Sequence, residues 1–250
     1  MKISFTQYIN NPLGEKSSVV TNRGMYQELY KNKLDKILLR EGGKVKYTLY
    51  KSKENYYVHF KIPSEVVDKF YYDTIIEFYT DDGLKAKSSS LKDYYVRFYS
   101  NDPAFVYTFG HAFIKNDLFI KDLLPKMSKE AIQNIAKEKN PKNLVGYVKS
   151  LFFAYLLMGD YGLFAKTMYD KVGESYNKSK LLKEVEHASE KIKKRQEEEA
   201  NLNRKKKREK HNEERLKTGE NIVNNIKNIG TVKKVSSTGR TRKIKSTKKI

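Results

Sequence analysis

Between Lys44 and Ser100 apolar and polar residues alternate with a period of two. Val45, Tyr47 and Leu49 alternate with Lys46, Thr48 and Tyr50, and Tyr56, Val58, Phe60 and Ile62 alternate with Tyr57, His59 and Lys61. That period marks half-buried strands, and the polar insert Lys51 to Asn55 predicts a hairpin between them. A second alternating pair, Tyr72 to Thr80 and Asp93 to Ser100, is joined by Asp81-Asp82-Gly83 and the small, basic stretch Leu84 to Lys92. The pattern predicts a four-stranded antiparallel sheet.

Helical spacing brackets this region. Met25, Leu29, Leu34, Ile37 and Leu38 predict a helix over Met25 to Leu39. Asp102 before Pro103 is a capping side chain ahead of a proline at the first helical position, so Pro103 to Lys115 is expected to be helical. Ser128 starts another helix, which Asn140-Pro141 ends. Leu144 to Met158 is apolar nearly all round, stops at Gly159 and belongs at the centre of the core, and Tyr161 to Asp170 adds a short helix. Strands grouped ahead of a helical cluster predict an α+β fold.

Beyond Ser179, Leu181, Val185, Ala188 and Ile192 keep a 4-3-4 spacing, and then the apolar stripe fails. Lys, Glu and Arg are good helix formers, and pairs such as Glu190 with Lys194 and Glu213 with Lys217 add about 0.2–0.5 kcal/mol each. The expectation is a solvent-exposed charged helix over 177–217. After Glu220 no acidic residue remains among the Ser, Thr, Gly, Asn and Lys, so 218–250 is expected to be a disordered basic tail. The organisation read from the chain is a globular body over 1–176, the charged helix, and the tail.

Composition sharpens the division. All 19 Tyr and 12 Phe lie at or before Tyr176, while residues 191–250 hold 21 Lys and Arg against 7 Asp and Glu, which is most of the net charge of +21. Such a balance, with an isoelectric point near 9.7, calls for a polyanionic partner, of which nucleic acid is the leading class. The absence of Cys excludes disulfides and thiolate metal sites. The longest apolar run, Leu151 to Met158, is eight residues against the ~20 that a bilayer requires, and the first residues carry no apolar leader. A non-secreted chain with no membrane span is expected.

The leading candidate site is the basic arm, with Arg204, Lys205, Lys206, Lys207, Arg208, Lys233, Lys234, Arg240, Arg242, Lys243, Lys245, Lys248 and Lys249 on phosphates. It has no aromatic side chain on which a base can stack, so binding through it is expected to ignore sequence. A second candidate is the sheet face away from the core, where Tyr50, Tyr57, Tyr95, Arg97 and Tyr99 have the aromatic-and-basic composition of a single-strand stacking platform. A face covered by helices has the same composition. His59, His111, His187 and His211 are scattered, Asp81-Asp82-Gly83 lacks a calcium-loop ladder, and Gly14-Glu15-Lys16-Ser17 lacks the spacing of a phosphate-binding loop. No catalytic residue, metal or cofactor is expected. An enzyme would need Asp73, Glu77, Asp93 and Asp102 to converge around a metal in the fold.

Two segments, Phe5-Thr6-Gln7-Tyr8-Ile9-Asn10-Asn11-Pro12-Leu13-Gly14 and Asn101-Asp102-Pro103-Ala104-Phe105-Val106-Tyr107, together with the Lys, Asn, Ile and Tyr richness, resemble uncharacterised proteins of tailed bacteriophages with AT-rich genomes. The resemblance covers 1–190 and implies a location in the host cytoplasm or the virion, with no site residue attached. The reading is thus a non-enzymatic nucleic-acid-associated protein. The alternative is a virion structural or assembly protein, of scaffold or connector type, that self-associates or docks on capsid or tail components.

Overall fold

The computed structural model describes residues 2–10, 23–53, 55–65, 67, 69–81 and 88–235, with backbone only over 23–26 and 218–235. Gly14 to Ser17, Asp82, Gly83, Arg240, Arg242, Lys243, Lys245, Lys248 and Lys249 lie outside the described residues. The chain divides into two units, Met1–Arg195 and Gln196–Ile250.

In the first unit four strands pair in sequence order and antiparallel: β1 (Tyr47–Ser52), β2 (Asn55–Pro63), β3 (Tyr71–Tyr79) and β4 (Tyr95–Ser100). A fifth, β5 (Glu174–Ser175), lies parallel to β1, with Tyr50 opposite Glu174 and Lys51 opposite Ser175. The sheet is therefore mixed, in the order β4-β3-β2-β1-β5, and the expectation of four antiparallel strands is corrected. Two polar residues have no period for a pattern argument to find. What holds them is the free edge of β1, where the Tyr176 amide also donates to the Lys51 carbonyl at 2.8 Å.

One face of the sheet presents apolar rows, Leu49, Val58, Ile76 and Phe98 across the strands and Tyr56, Phe78 and Val96 beside them. These are buried beneath α1 (Phe5–Asn10) and α5 (Lys149–Asp160). The rings of Phe5 and Tyr8 lie 5.1 Å and 4.9 Å from Phe98. Burying each such ring contributes about 1.5–3 kcal/mol. Around it run α2 (Arg23–Arg40), a π-helical turn (Phe105–Phe109) leading into α3 (Gly110–Lys115), α4 (Lys129–Gln133) and α6 (Lys166–Val172).

Capping works where it was read: Asp102 Oδ1 accepts from the Ala104 amide at 2.9 Å, and Ser128 Oγ from the Ala131 amide at 3.1 Å. Helix lengths follow tertiary hydrogen bonds instead. α4 ends at Gln133, well before Asn140, whose side chain pins a loop by donating to the Thr108 and Leu144 carbonyls at 3.1 and 2.8 Å. α5 starts at Lys149 rather than Leu144, because the Tyr8 hydroxyl takes the Val148 amide at 3.3 Å and donates to the Gly146 carbonyl at 2.9 Å.

That loop brings Gly146 against Phe109 so closely that an added Cβ would sit 1.9 Å from the ring's Cε1. Gly146→Ala is expected to cost about 1–3 kcal/mol through overpacking, measured by urea denaturation. Trimming the ring in the double variant with Phe109→Leu should return part of that loss.

After β5, α7 (Lys178–Glu184) starts at Asn177, whose Oδ1 accepts from the Lys180 amide at 2.9 Å. The chain then breaks its helix before α8 (Ala188–Val235). The described residues show two features here. The charged helix is not one solvated element over 177–217, because Leu181, Val185 and Ala188 are buried in the body and the first unit runs to Arg195. The backbone of α8 is helical through 218–235. Adding residues to a formed helix is cheap once the nucleus is paid for, and Ile222, Ile226 and Ile229 recur at helical spacing.

Candidate nucleic-acid interface

The second face of the sheet, read as a stacking platform, is occupied by the protein's own chain. Tyr50, Tyr57 and Tyr99 are 1%, 4% and 0% exposed, and His59 is buried with them. Tyr176 stacks on Tyr57 with centroids 4.2 Å apart and planes 12° from parallel. The Tyr50 hydroxyl donates to Glu184 at 2.6 Å, and Tyr99 packs against Phe119 and Phe105. Burial foremost, then the Glu184 bond, pushes the Tyr50 phenol up from its ordinary range. Arg97 lies over the Tyr79 ring at 4.1 Å and bonds Asp117 at 3.2 Å, while Tyr95, half-buried, packs on Tyr79 at 5.7 Å. Three of these rings, Tyr50, Tyr57 and Tyr99, are thus closed to a base, and residues 174–195 form a strap over Tyr50 and Tyr57.

Beneath the strap lies a buried polar centre. Cross-strand register puts Asp73 opposite Lys61, with His59 two residues before Lys61 on the same face. Asp73 Oδ1 receives His59 Nε2 at 2.9 Å and the Lys61 ammonium, and Oδ2 receives Asn101 Nδ2 at 2.8 Å and the Glu186 amide at 3.3 Å. Burial alone would raise this carboxyl; His59 and Lys61 overcome it and hold the group at about 2. Glu77 forms a second node, accepting from Tyr57 at 2.8 Å and Asn55 at 3.0 Å. Asp73 fastens the strap through the Glu186 amide, whereas Glu77 ties β2 to β3 and Arg97; among the described residues no group of three His, Asp or Glu side chains is placed to hold a metal ion. Asp93 is turned to Ser88 at 2.6 Å, and Asp102 to its helix start, so the four carboxylates do not converge.

The basic arm begins later than its charge did. Lys191 and Lys194 pair with Glu186 at 2.9 and 3.1 Å, and Arg195 donates to the Tyr72 hydroxyl at 3.2 Å. Many other cations of the body are similarly engaged, such as Lys33 and Lys149 on Glu65, both at 2.8 Å.

In the second unit 17 Lys and Arg face 7 Asp and Glu over 55 residues, and side chains from Gln196 to Lys217 are exposed. Successive helical residues turn by about 100°, so Arg204, Lys207, Arg208, His211 and Arg215, at spacings of 3, 4, 7 and 11 from the first, fall within an arc of about 100°. The stripe is about 16 Å long on a rise of 1.5 Å per residue. Glu197 closes it on the N-terminal side. Leu202, Glu209, Glu213 and Leu216 lie on the opposite side, and Lys205 is 4.0 Å from Glu209. Among the described residues Arg204, Lys207, Arg208 and Arg215 make no ion pair.

The run Arg204 to Arg208 was legible from composition, whereas His211 and Arg215 belong to the stripe only through helical phase. Lys205 and Lys206, from the same run, fall away from it. Lys233 and Lys234 lie within α8, on its last turn. No protein-family model, curated protein or solved structure matches the chain.

Proposed function

We propose that this protein associates with nucleic acid without reading its sequence, through phosphate contacts made by the second unit. The supporting observation is the exposed, one-sided stripe Arg204, Lys207, Arg208, His211 and Arg215 on α8, whose Arg and Lys make no ion pair among the described residues. Unpaired cations release condensed counter-ions when they meet phosphates, and each adds about 0.9 to the salt slope. Pairing within the protein, as at Glu186, forfeits that gain. The first unit is itself basic, with 34 Lys and Arg against 23 Asp and Glu, but its charge is spread over 195 residues.

Gel retardation of the full chain and of a chain ending at Arg195 tests the reading. The full chain is expected to retard nucleic acid, and with six to ten contacts to lose about 10³–10⁵ of its affinity between 50 and 200 mM salt. The shortened chain is expected to lose retardation already at low salt. Equal affinity after shortening removes the arm from the function.

A second reading, assembly with structural partners, rests on the other side of the same helix. Leu202 and Leu216 are 52% and 69% exposed there, two heptads apart. Light scattering separates the two, since a monodisperse monomer that retards nucleic acid counts against assembly.

A further inference from the structure

Resting on that nucleic-acid reading, we infer that the partner is duplex DNA in the B form, with the α8 stripe lying along the major groove and its cations on the flanking phosphates. Two independent observations lead there. The first is the covered sheet: single strands are held by stacking bases on aromatic rings, worth about 1–3 kcal/mol per base in general. The strap covers Tyr50 and Tyr57, Phe105 and Phe119 cover Tyr99, and residues 177–250 contain no Phe, Tyr or Trp. The binding unit thus lacks the chemistry that favours an unpaired strand.

The second is the form of the cationic array. Its positive groups follow one side of a continuous helix, in phase over three turns, instead of being scattered along an extended chain. A helix with its side chains is about 10–12 Å across, and the major groove of B-form DNA is about 12 Å wide. The major groove of A-form RNA is too deep and narrow to admit one. Seated in the B-form groove, Arg204, Lys207, Arg208 and Arg215 point inward and sideways with phosphates on both walls. Asn201 and Asn212 border the stripe on one side and add neutral donors, and Glu214 borders it on the other.

Like-charged neighbours three and four residues apart, such as Arg204 with Lys207 and Arg208, repel on a free helix. A duplex removes that repulsion as it binds, so helix and ligand support each other.

The test titrates full-length protein into a DNA duplex, its single strand, and an RNA duplex of the same sequence and length, at two salt concentrations. The DNA duplex is expected to bind about tenfold more tightly than either competitor. Equal or tighter binding of the single strand or the RNA duplex overturns the groove assignment while leaving polyanion binding in place. Retardation of none of the three overturns the functional reading with it.

A paired comparison tests the stripe at constant net charge. Arg204→Gln, Arg208→Gln and Arg215→Gln together should flatten the salt slope by about 2.7, so that the loss of affinity between 50 and 200 mM salt shrinks by about forty-fold. Lys205→Gln, Lys206→Gln and Lys210→Gln, which remove the same charge from other sides of the helix, should change it far less. Equal effects of the two sets mean that charge alone matters, and the one-sided docking is then wrong.

Discussion

Asp73→Asn is expected to cost about 3–5 kcal/mol of folding stability at neutral pH, seen as a lower urea midpoint, because it breaks a buried ion pair by removing one partner. Every group around this carboxylate is a donor: His59 Nε2, Lys61 Nζ, Asn101 Nδ2 and the Glu186 amide. An amide offers one oxygen to these four and turns an NH₂ against the remainder. The buried His59 and the half-buried Lys61 are left without the carboxylate they bond.

The pH dependence has a definite sign. The Asp73 carboxyl is lowered in the folded protein from 3.8 to about 2, so its stabilisation is present above the unfolded value and is lost as pH falls through the folded one. The difference corresponds to about 2 kcal/mol. The gap in stability between wild type and Asp73→Asn should narrow as pH drops from about 5 to 2. A gap that stays constant over that range would show that the carboxylate's charge is not what the mutation removed.

Ending the chain at Tyr176, where the aromatic residues stop, should lower stability by about 4–7 kcal/mol relative to a chain ending at Arg195. The shorter chain exposes the sites of Leu181 and Val185, each worth about 1.5–3 kcal/mol when fully buried. It also forfeits the hydrogen bonds of Tyr50 to Glu184, Asn101 to the Glu186 carbonyl and the Glu186 amide to Asp73. A domain of this kind has only about 5–15 kcal/mol in total, so the shorter chain sits near the edge of unfolding. Matching denaturation midpoints for the two chains would return the boundary to Tyr176 and make the strap a passenger.

The strap carries the apolar stripe after Ser179 and lies against one end of the sheet's second face. Leu181, Val185 and Ala188 announce an apolar stripe, but a short stripe among lysines does not say what it lies against. Likewise Tyr50, Tyr57 and Tyr99 alternate correctly with the core-facing residues, and alternation places a ring on a face without saying whether that face is wet. Covering depends on segments more than 100 positions away, such as Glu184 reaching Tyr50. Asp73 carried a weak local signal, since Lys61 and His59 are its cross-strand neighbours once the hairpin register is known.

The arm was legible by a different route. Net charge and the lack of aromatic residues are properties of composition, and they survive any arrangement of the chain. The division of that charge into a stripe and a back side needs only that the helix be continuous, because phase is then arithmetic.

By itself, then, the amino-acid sequence determined the four long strands, the helix starts at Asp102 and Ser128, the aromatic core and the cationic C-terminal quarter, since each follows from local periodicity, capping chemistry or charge count. Only the tertiary structure decided the parallel fifth strand, the shortened helices, the closing of the sheet's second face and the loss of Lys191, Lys194 and Arg195 from the arm. Those outcomes are competitions between distant partners for the same hydrogen-bonding groups and the same apolar surface, and their winners are chosen by distance in space, which no stretch of neighbouring residues contains.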